Sequence, residues 1–330
     1  MITVFDKLIK KAKDTSARIV LTETEDERVL SAANKAAEMG LCKVVLIGEV
    51  AKEKFSQKAQ KNIEVVDISA STENDEDFAR LLYDLRKNKG MTLEEAQKQI
   101  KNKLVYAMLM LKSGKADGVV SGAVNHTADV LRPAFQIVKM KPGISKVSSL
   151  FIMESPNEEF GENGFLIFAD CGVNPNPTDE ELAEIAVVTS ETAKKICGIS
   201  PRVAMLTYSS ASGDEMTDEN VCKVKRAVQI VRQKRPDLLI DGELQADAAL
   251  VPGVAKAKAP NSKLKGKANI LIFPDLNSGN IAYKLVQRLA NVKAVGPILQ
   301  GLNSPVNDLS RGTTDDEIVL AMAITILQAK

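Results

Sequence analysis

The chain has 330 residues, 44 Lys+Arg against 43 Asp+Glu, a formal net charge of +1, a single histidine and no tryptophan. That balance gives no basic footprint for nucleic acid or anionic membrane, and 45% apolar with 26% charged residues is a globular composition long enough for two domains with separate cores. The opening residues, Met1 to Lys7, lack a basic region followed by an apolar run, and no stretch approaches the roughly 18 to 20 apolar residues of a spanning helix, so a cytoplasmic protein is expected.

In chain order, Arg18 to Thr22 reads as a strand, and Thr24-Glu-Asp-Glu27 as a capping box opening a helix that Gly40 closes. Lys43 to Ile47 supplies the next strand. Strand, helix and strand within so short a span predict a parallel βαβ unit. Asn62 to Val66 is a third strand, followed by helical runs at 75–88, 93–100 and 103–113 and a short strand at Asp117 to Val120. Helical periodicity stops near Met140-Lys-Pro-Gly143. Two β-rich runs, Lys146 to Met153 and Phe165 to Phe168, then flank a turn-rich segment, which is hairpin grammar and places a domain boundary near 142.

Beyond it, Thr178 caps a helix to about 197, Arg202 to Leu206 is a strand, Thr217 to Lys234 a helix, Asn269 to Phe273 a strand and 279–290 a helix. The Lys/Ala/Gly stretch Val254 to Lys267 reads as a mobile surface loop. Val292 to Val295, a long loop and an apolar helix over 315–328 complete an α/β chain; periodicity leaves open which domain this tail closes.

The sequence has no GxGxxG, GxxxxGK[ST], GxSxG or HExxH pattern. Cys42, Cys171, Cys197 and Cys222 are far apart, with no zinc or redox spacing, and read as reduced, mostly buried thiols. With His126 alone, any mechanism needing two imidazoles is excluded.

Three polar junctions at the carboxyl ends of strands, where open α/β sheets bind ligands, carry the chemistry. The first runs from Ser121 through a small-residue turn to Thr127, an N-cap candidate, with Arg132 about a turn further on. Turn amides and a positive helix end suit an anion, and the guanidinium suits phosphate; a tight turn with a surface arginine is the equally weighted alternative. Pro133 sits awkwardly in that helix unless it is the first residue. The second, Gly296 to Gly312, is a long loop bringing Ser310 and Arg311 before a helix capped by Thr314-Asp-Asp-Glu317. Glu317 has a capping role there, and Asp315 and Asp316 complement the helix dipole. In the third, Asn280, Tyr283 and Lys284 are candidates for lining a ligand cleft, or simply belong to a capped amphipathic helix.

Taken together, SGAVNHTADVLRPAFQIVK from Ser121, FADCGVNPNPT from Phe168, DGELQADAAL from Asp241, NILIFPDLNSGNIAYKLVQRLA from Asn269 and GPILQGLNSPVNDLSRG from Gly296 resemble the phosphate acetyltransferases (phosphotransacetylases) of short, single-module type. With Leu85-Arg-Lys-Asn-Lys-Gly90 the resemblance covers essentially the whole chain. It implies reversible acetyl transfer between acetyl phosphate and coenzyme A, giving acetyl-CoA and phosphate by direct thiolate attack in a ternary complex. Coenzyme A is then a substrate, and no metal or redox cofactor is expected. The implied fold is two three-layer α/β domains flanking a cleft, like isocitrate and isopropylmalate dehydrogenases, with 1–142 plus 297–330 as the first domain and 143–296 as the second. A homodimer is implied as well.

By the same resemblance, Arg86 and Arg132 assist substrate binding, alongside the candidates Thr127, Asn280, Tyr283 and Lys284. Ser310 and Arg311 sit at the reacting centre, Ser310 helping to remove the thiol proton with a carboxylate's aid. The family's aspartate aligns with Glu317, one methylene longer, and Asp316 is its neighbour, so both are candidates. Serine alone is a poor base, which is why it requires that acidic partner. Asn125-His126 replaces the family's frequent His-Ser, and His126 is read first as shaping its turn and second as touching phosphate. The rival readings are a phosphate butyryltransferase, separated only by pocket volume; a metal- and NAD(P)-dependent hydroxyacid dehydrogenase using Asp241 and Asp247; and a silent binding protein, against which the intact arginines and Ser310 speak.

Overall fold

A computed structural model describes residues 4–13, 16–71, 73–210 and 217–330. Met1 to Thr3, part of the segment read for a leader, lie outside the described residues. The chain divides into two units, Met1–Pro142 with Leu302–Lys330, and Gly143–Gly301.

The first unit opens with α1 (Val4–Ala12), β1 (Arg18–Leu21), α2 (Glu27–Glu38), β2 (Lys43–Ile47), α3 (Gln57–Gln60), β3 (Ile63–Val66), α4 (Asp75–Arg86), α5 (Leu93–Gln99), α6 (Lys103–Lys112), β4 (Gly118–Ser121) and α7 (Thr127–Pro133). The N-cap of α2 is Asp26, whose carboxylate accepts the Arg28 N–H, and not Thr24, whose hydroxyl donates to the Ile47 carbonyl. The expected capping box therefore starts two residues too early. Helix α6 is apolar on almost every face, and Tyr106, Met108 and Leu109 are wholly buried. A helix of that kind needs neighbours all round; it packs on β4, α4 and α7. Pro133 ends α7, followed by one wide turn over Ala134–Val138, so it is the last helical residue and not the first.

The second unit contains β5 (Ser148–Glu154), β6 (Phe165–Ala169), α8 (Asp179–Thr192), β7 (Arg202–Leu206), α9 (Glu219–Lys234), β8 (Leu239–Leu244), α10 (Ala246–Leu250), α11 (Pro252–Lys258), β9 (Ile270–Ile272), α12 (Leu276–Leu289) and β10 (Lys293–Gln300). Its sheet order is β10-β5-β6-β9-β7-β8, antiparallel across β10, β5 and β6 and parallel beyond. The expected hairpin is β5–β6. The stretch 254–267 is no surface loop: Pro252 starts α11 at a position that needs no amide, and Ala259 and Leu264 are buried in the core with Phe168 and Phe273.

The 296–312 segment, expected as a long loop, contains two stretches of strand. β10 continues through Pro297 to Gln300 on β5, so the chain leaves this unit after Gly301 and not at 297. Back in the first unit, β11 (Val306–Asp308) pairs in parallel with β4, and α13 (Asp315–Ala329) follows. The first sheet is then wholly parallel in the order β11-β4-β1-β2-β3. Helices α1, α2 and α13 pack together, and α4, α6 and α7 form a separate group. Consecutive residues of β11 separate the two layers: Asn307 bonds Thr325 and Gln328 of α13, whereas Asp308 bonds Thr127 of α7.

Candidate active site

Adjacent parallel strands bring two of the three junctions together. In register, Asp308 faces Ser121, so the turn after β4 and the Leu309-Ser310-Arg311 segment after β11 leave the same edge of the first sheet. This is the carboxyl edge, at which the strand order reverses between β1 and its neighbours.

The turn after β4 is not an empty anion cradle. Glu23, buried at the end of β1, accepts the N–H groups of Gly122 and Ala123 at 2.8 Å each, Val124 at 2.9 Å and Asn125 at 2.8 Å, with the Asn125 side-chain amide at 2.9 Å. Those donors are charge-assisted bonds to the chain's own carboxylate, which fixes the turn and leaves a phosphate to be bound by side chains. The N-cap of α7 is His126, exposed and making no side-chain cap bond, and not Thr127. Thr127 is the first helical residue and donates its hydroxyl to Asp308 Oδ2 at 2.6 Å.

Arg28 ties the two junctions. Its guanidinium pairs with Asp26 at 2.7 Å and donates to the carbonyls of Arg311 and Thr313 at 2.9 Å each and of Ala123 at 3.1 Å. The Arg311 backbone is thus anchored while its side chain is exposed, with no carboxylate partner among the described residues. Ser310 Oγ, half-buried, accepts the Gly312 N–H at 3.4 Å.

The two carboxylates proposed for Ser310 are occupied elsewhere. Glu317 closes the capping box of α13, accepting the Thr314 N–H at 3.0 Å and the Thr313 hydroxyl at 3.1 Å. Asp316 pairs with Lys35 at 2.6 Å, and Asp315 takes the Ser31 hydroxyl and the same ammonium. Neither Glu317 nor Asp316 is hydrogen-bonded to Ser310 in this structure; helix capping engages the first and Lys35 the second.

The guanidiniums divide into two groups. Arg18, Arg28, Arg80, Arg202, Arg226, Arg232 and Arg235 each pair with a carboxylate at 2.9 Å or less. Arg132 is 69% exposed with only a 3.9 Å approach to Asp129, and the buried Nε of Arg86 has no partner. With Arg311 these are the guanidinium cations of the first unit left available to an anion; in the second unit Arg288, exposed on α12, is likewise in no ion pair among the described residues. A cavity of about 450 Å³ also opens at the ends of β1 to β3, lined by Thr24, Glu25, Gly48, Asp67, Lys101 and Lys103. Its ammonium groups are already paired, Lys101 with Asp75 and Lys103 with Glu25.

Asn280, Tyr283 and Lys284 belong to the second unit. Tyr283 is buried and stacks on Phe151 with ring centroids 3.8 Å apart, so it is core and not a ligand contact. Asn280 donates to the Cys171 carbonyl at 3.0 Å, and Lys284 is exposed. In the FADCGVNPNPT motif, buried Asp170 gathers the amides of Gly172, Val173 and Asn174 together with the Ser149 hydroxyl, repeating in this unit what Glu23 does in the other. Asp241 and Asp247, the dehydrogenase reading's ligands, pair with Arg232 and Lys258 at 2.7 Å each. No set of three His, Cys, Asp or Glu among the described residues is placed to hold a metal. The four cysteines form no disulfide: Cys42 and Cys171 are buried, Cys197 and Cys222 half-buried, and burial pushes the Cys42 thiol up to about 12.

Glu23, Arg28 and Asp308 were not singled out from sequence. Glu23 lies in an acidic run that reads as a helix start, and Asp308 lies in a segment read as loop; only strand pairing reveals what each faces.

The family model for phosphate acetyl/butaryl transferase matches residues 3–326. The phosphate acetyltransferase of Clostridium acetobutylicum is 50% identical over 328 residues, covering 97% of this chain and 96% of that one. Its counterpart in Escherichia coli K12 is 44% identical over 98% of this chain, which spans 44% of that longer protein. Among solved structures, a phosphotransacetylase from Streptococcus pyogenes superposes with a TM-score of 0.89 at 41% identity, covering 99% of this chain and 98% of that one. A 4-hydroxythreonine-4-phosphate dehydrogenase from Klebsiella pneumoniae shares the fold at a TM-score of 0.53 and 13% identity, over 96% and 100% of the two chains. With a family model spanning nearly its whole length and relatives half identical end to end, the chain belongs to the phosphate acetyl/butaryl transferase family.

Proposed function

We infer that this chain is a phosphate acetyltransferase, moving an acetyl group reversibly between acetyl phosphate and coenzyme A to give acetyl-CoA and phosphate. The observation that carries this reading is the exposed, unpaired Arg311 beside Ser310, its backbone clamped by Arg28 at the carboxyl edge of the first sheet. Acyl transfer to a thiol needs a cation where phosphate charge develops, a hydroxyl near the attacking sulfur, and both held in place before the reaction. Arg311 neutralises the phosphate in the transition state, Ser310 bonds the thiol, and Arg86 and Arg132 supply further positive charge to the anionic substrates. The thiolate attacks directly within a ternary complex. An acetyl rather than butyryl donor is favoured by relatives at 44 to 50% identity, which are phosphate acetyltransferases, whereas a branched-chain phosphotransacylase from Enterococcus faecalis is only 18% identical.

The reading includes no metal or redox cofactor, a cytoplasmic location and a homodimer. Ile281, Leu285 and Leu289, one turn apart along α12, are exposed large apolar residues that a second copy would cover. No helix among the described residues is long and apolar enough to cross a membrane. The decisive assay is acetyl-CoA formation from acetyl phosphate and coenzyme A with EDTA present and NAD absent. Turnover is expected, with kcat/KM falling from acetyl to propionyl to butyryl phosphate; folded protein that does not turn over sinks the assignment.

A further inference from the structure

Past the end of β1, consecutive residues face two different places. Glu23 turns toward β4 and holds the 122–125 turn, whereas Thr24 turns toward β2, its hydroxyl donating to the Ile47 carbonyl and accepting the Lys103 ammonium at 3.2 Å. Thr24 thereby lines a second place, the cavity of about 450 Å³ over the carboxyl ends of β1, β2 and β3. That volume is within the range of small-molecule sites. Gly48 keeps its floor compact: at φ +142° a Cβ there would overlap the Thr24 hydroxyl. Lys103 spends two of its three N–H donors on Thr24 and on Glu25 at 2.9 Å, and Lys101 spends two on the Ala70 carbonyl at 2.8 Å and Asp75 at 2.6 Å. One donor on each ammonium is left over. The two ion pairs, Lys103 with Glu25 and Lys101 with Asp75, cancel in charge. Glu49 and Asp67 do not: they leave the adjacent ends of β2 and β3, just past the Ile47–Val66 pair, and neither is in an ion pair among the described residues. The Ser69 hydroxyl and amide, with the charge of Lys101 nearby, hold the Asp67 carboxyl below the ordinary carboxylate range.

The cavity thus offers two uncompensated carboxylates and two spare ammonium donors. A simple anion meets Glu49 and Asp67 with like charge, and a simple cation leaves the ammonium donors facing it; a zwitterion answers both sets. We propose that this cavity binds a free α-amino acid, its α-ammonium seated between Glu49 and Asp67 and its α-carboxylate on the spare donors of Lys101 and Lys103. Ile68, buried in the lining, supplies an apolar wall for the ligand's side chain. The occupant makes no bond to Ser310 or Arg311, and its binding does not depend on the acetyl-transfer reading.

Thermal-shift and calorimetric titrations of the intact chain with each standard L-amino acid test it. At least one should bind saturably. Its N-acetyl and its carboxamide derivatives, each lacking one charge, should bind about tenfold more weakly or worse, the loss of one charge-assisted contact. E49Q and D67N, both at exposed positions, should fold as the parent does and weaken the same amino acid by about that factor. Saturating coenzyme A should leave its affinity unchanged. The proposal is overturned if no standard amino acid binds, if 1,5-diaminopentane or succinate binds as well as the zwitterion, if both variants bind as the parent does, or if coenzyme A displaces the amino acid and so claims the cavity for substrate.

Discussion

Arg28 and Arg311 sit on facing segments and do opposite work. Arg28 spends its donors on Asp26 and three backbone carbonyls, so it organises the chain. Arg311 has its backbone carbonyl engaged and its side chain unengaged, the state expected of a group that meets charge arriving with substrate. Replacing Arg311 with alanine should therefore lower kcat by about 10² to 10³-fold, more than it raises KM, since the charge it meets develops in the transition state. Initial rates varied in both substrates check this, and a rise confined to KM contradicts it. Asp308 illustrates the energetic side of such a site. Its carboxyl is raised from 3.8 to about 7, so the neutral form is favoured in the folded chain, and the stability it lends is complete below pH 4 and lost as pH rises through 7. Asparagine does not titrate, so the melting temperature of D308N relative to the parent should increase between pH 5 and pH 8.

At the scale of elements, the first βα turn of the site is built from two distant strands. The 122–125 turn has the small residues and the following helix of an anion cradle, but Glu23 fills it with five donors from one segment. Removing that carboxylate would orphan four buried or half-buried amides just before α7. Glu23→Ala should cost about 3 to 5 kcal/mol in urea or thermal unfolding, the range for breaking one side of a buried charge cluster, and Glu23→Gln less. A loss below about 0.5 kcal/mol would mean that water replaces the carboxylate freely. Helices α8 and α13 behaved as their sequences promised, because Thr178 with Glu181 and Thr314 with Glu317 form complete capping boxes from residues three apart. For α2 the local signal misled: Thr24 is drawn to the end of β2, and Asp26 caps the helix instead.

At the scale of the whole molecule, the exposed face of α12 bears on assembly. Leu289 is 82% exposed, Ile281 57% and Leu285 52%, more apolar surface on one helix than a solitary chain ordinarily presents. If two copies meet on this face, L285E/L289E should shift the mass measured by light scattering from dimer to monomer with the fold retained; a dimer unaffected by the pair places the interface elsewhere. The sequence by itself determined the alternation of strands and helices, the break near 142, and the family motifs around Ser310 and Arg311, because periodicity, caps and motif spacing are properties of neighbouring residues. It could not show that 296–300 and 306–308 are strand, since the first extends β10 along β5 and the second acquires its role from β4. Nor could it show that Glu23 occupies the turn, that Tyr283 is core, or that Asp308 rather than Glu317 lies beside Thr127 with an unmet oxygen. The Glu23 and Asp308 contacts join residues some 100 to 180 positions apart, and only the parallel pairing of β11, β4 and β1 brings them within hydrogen-bonding distance.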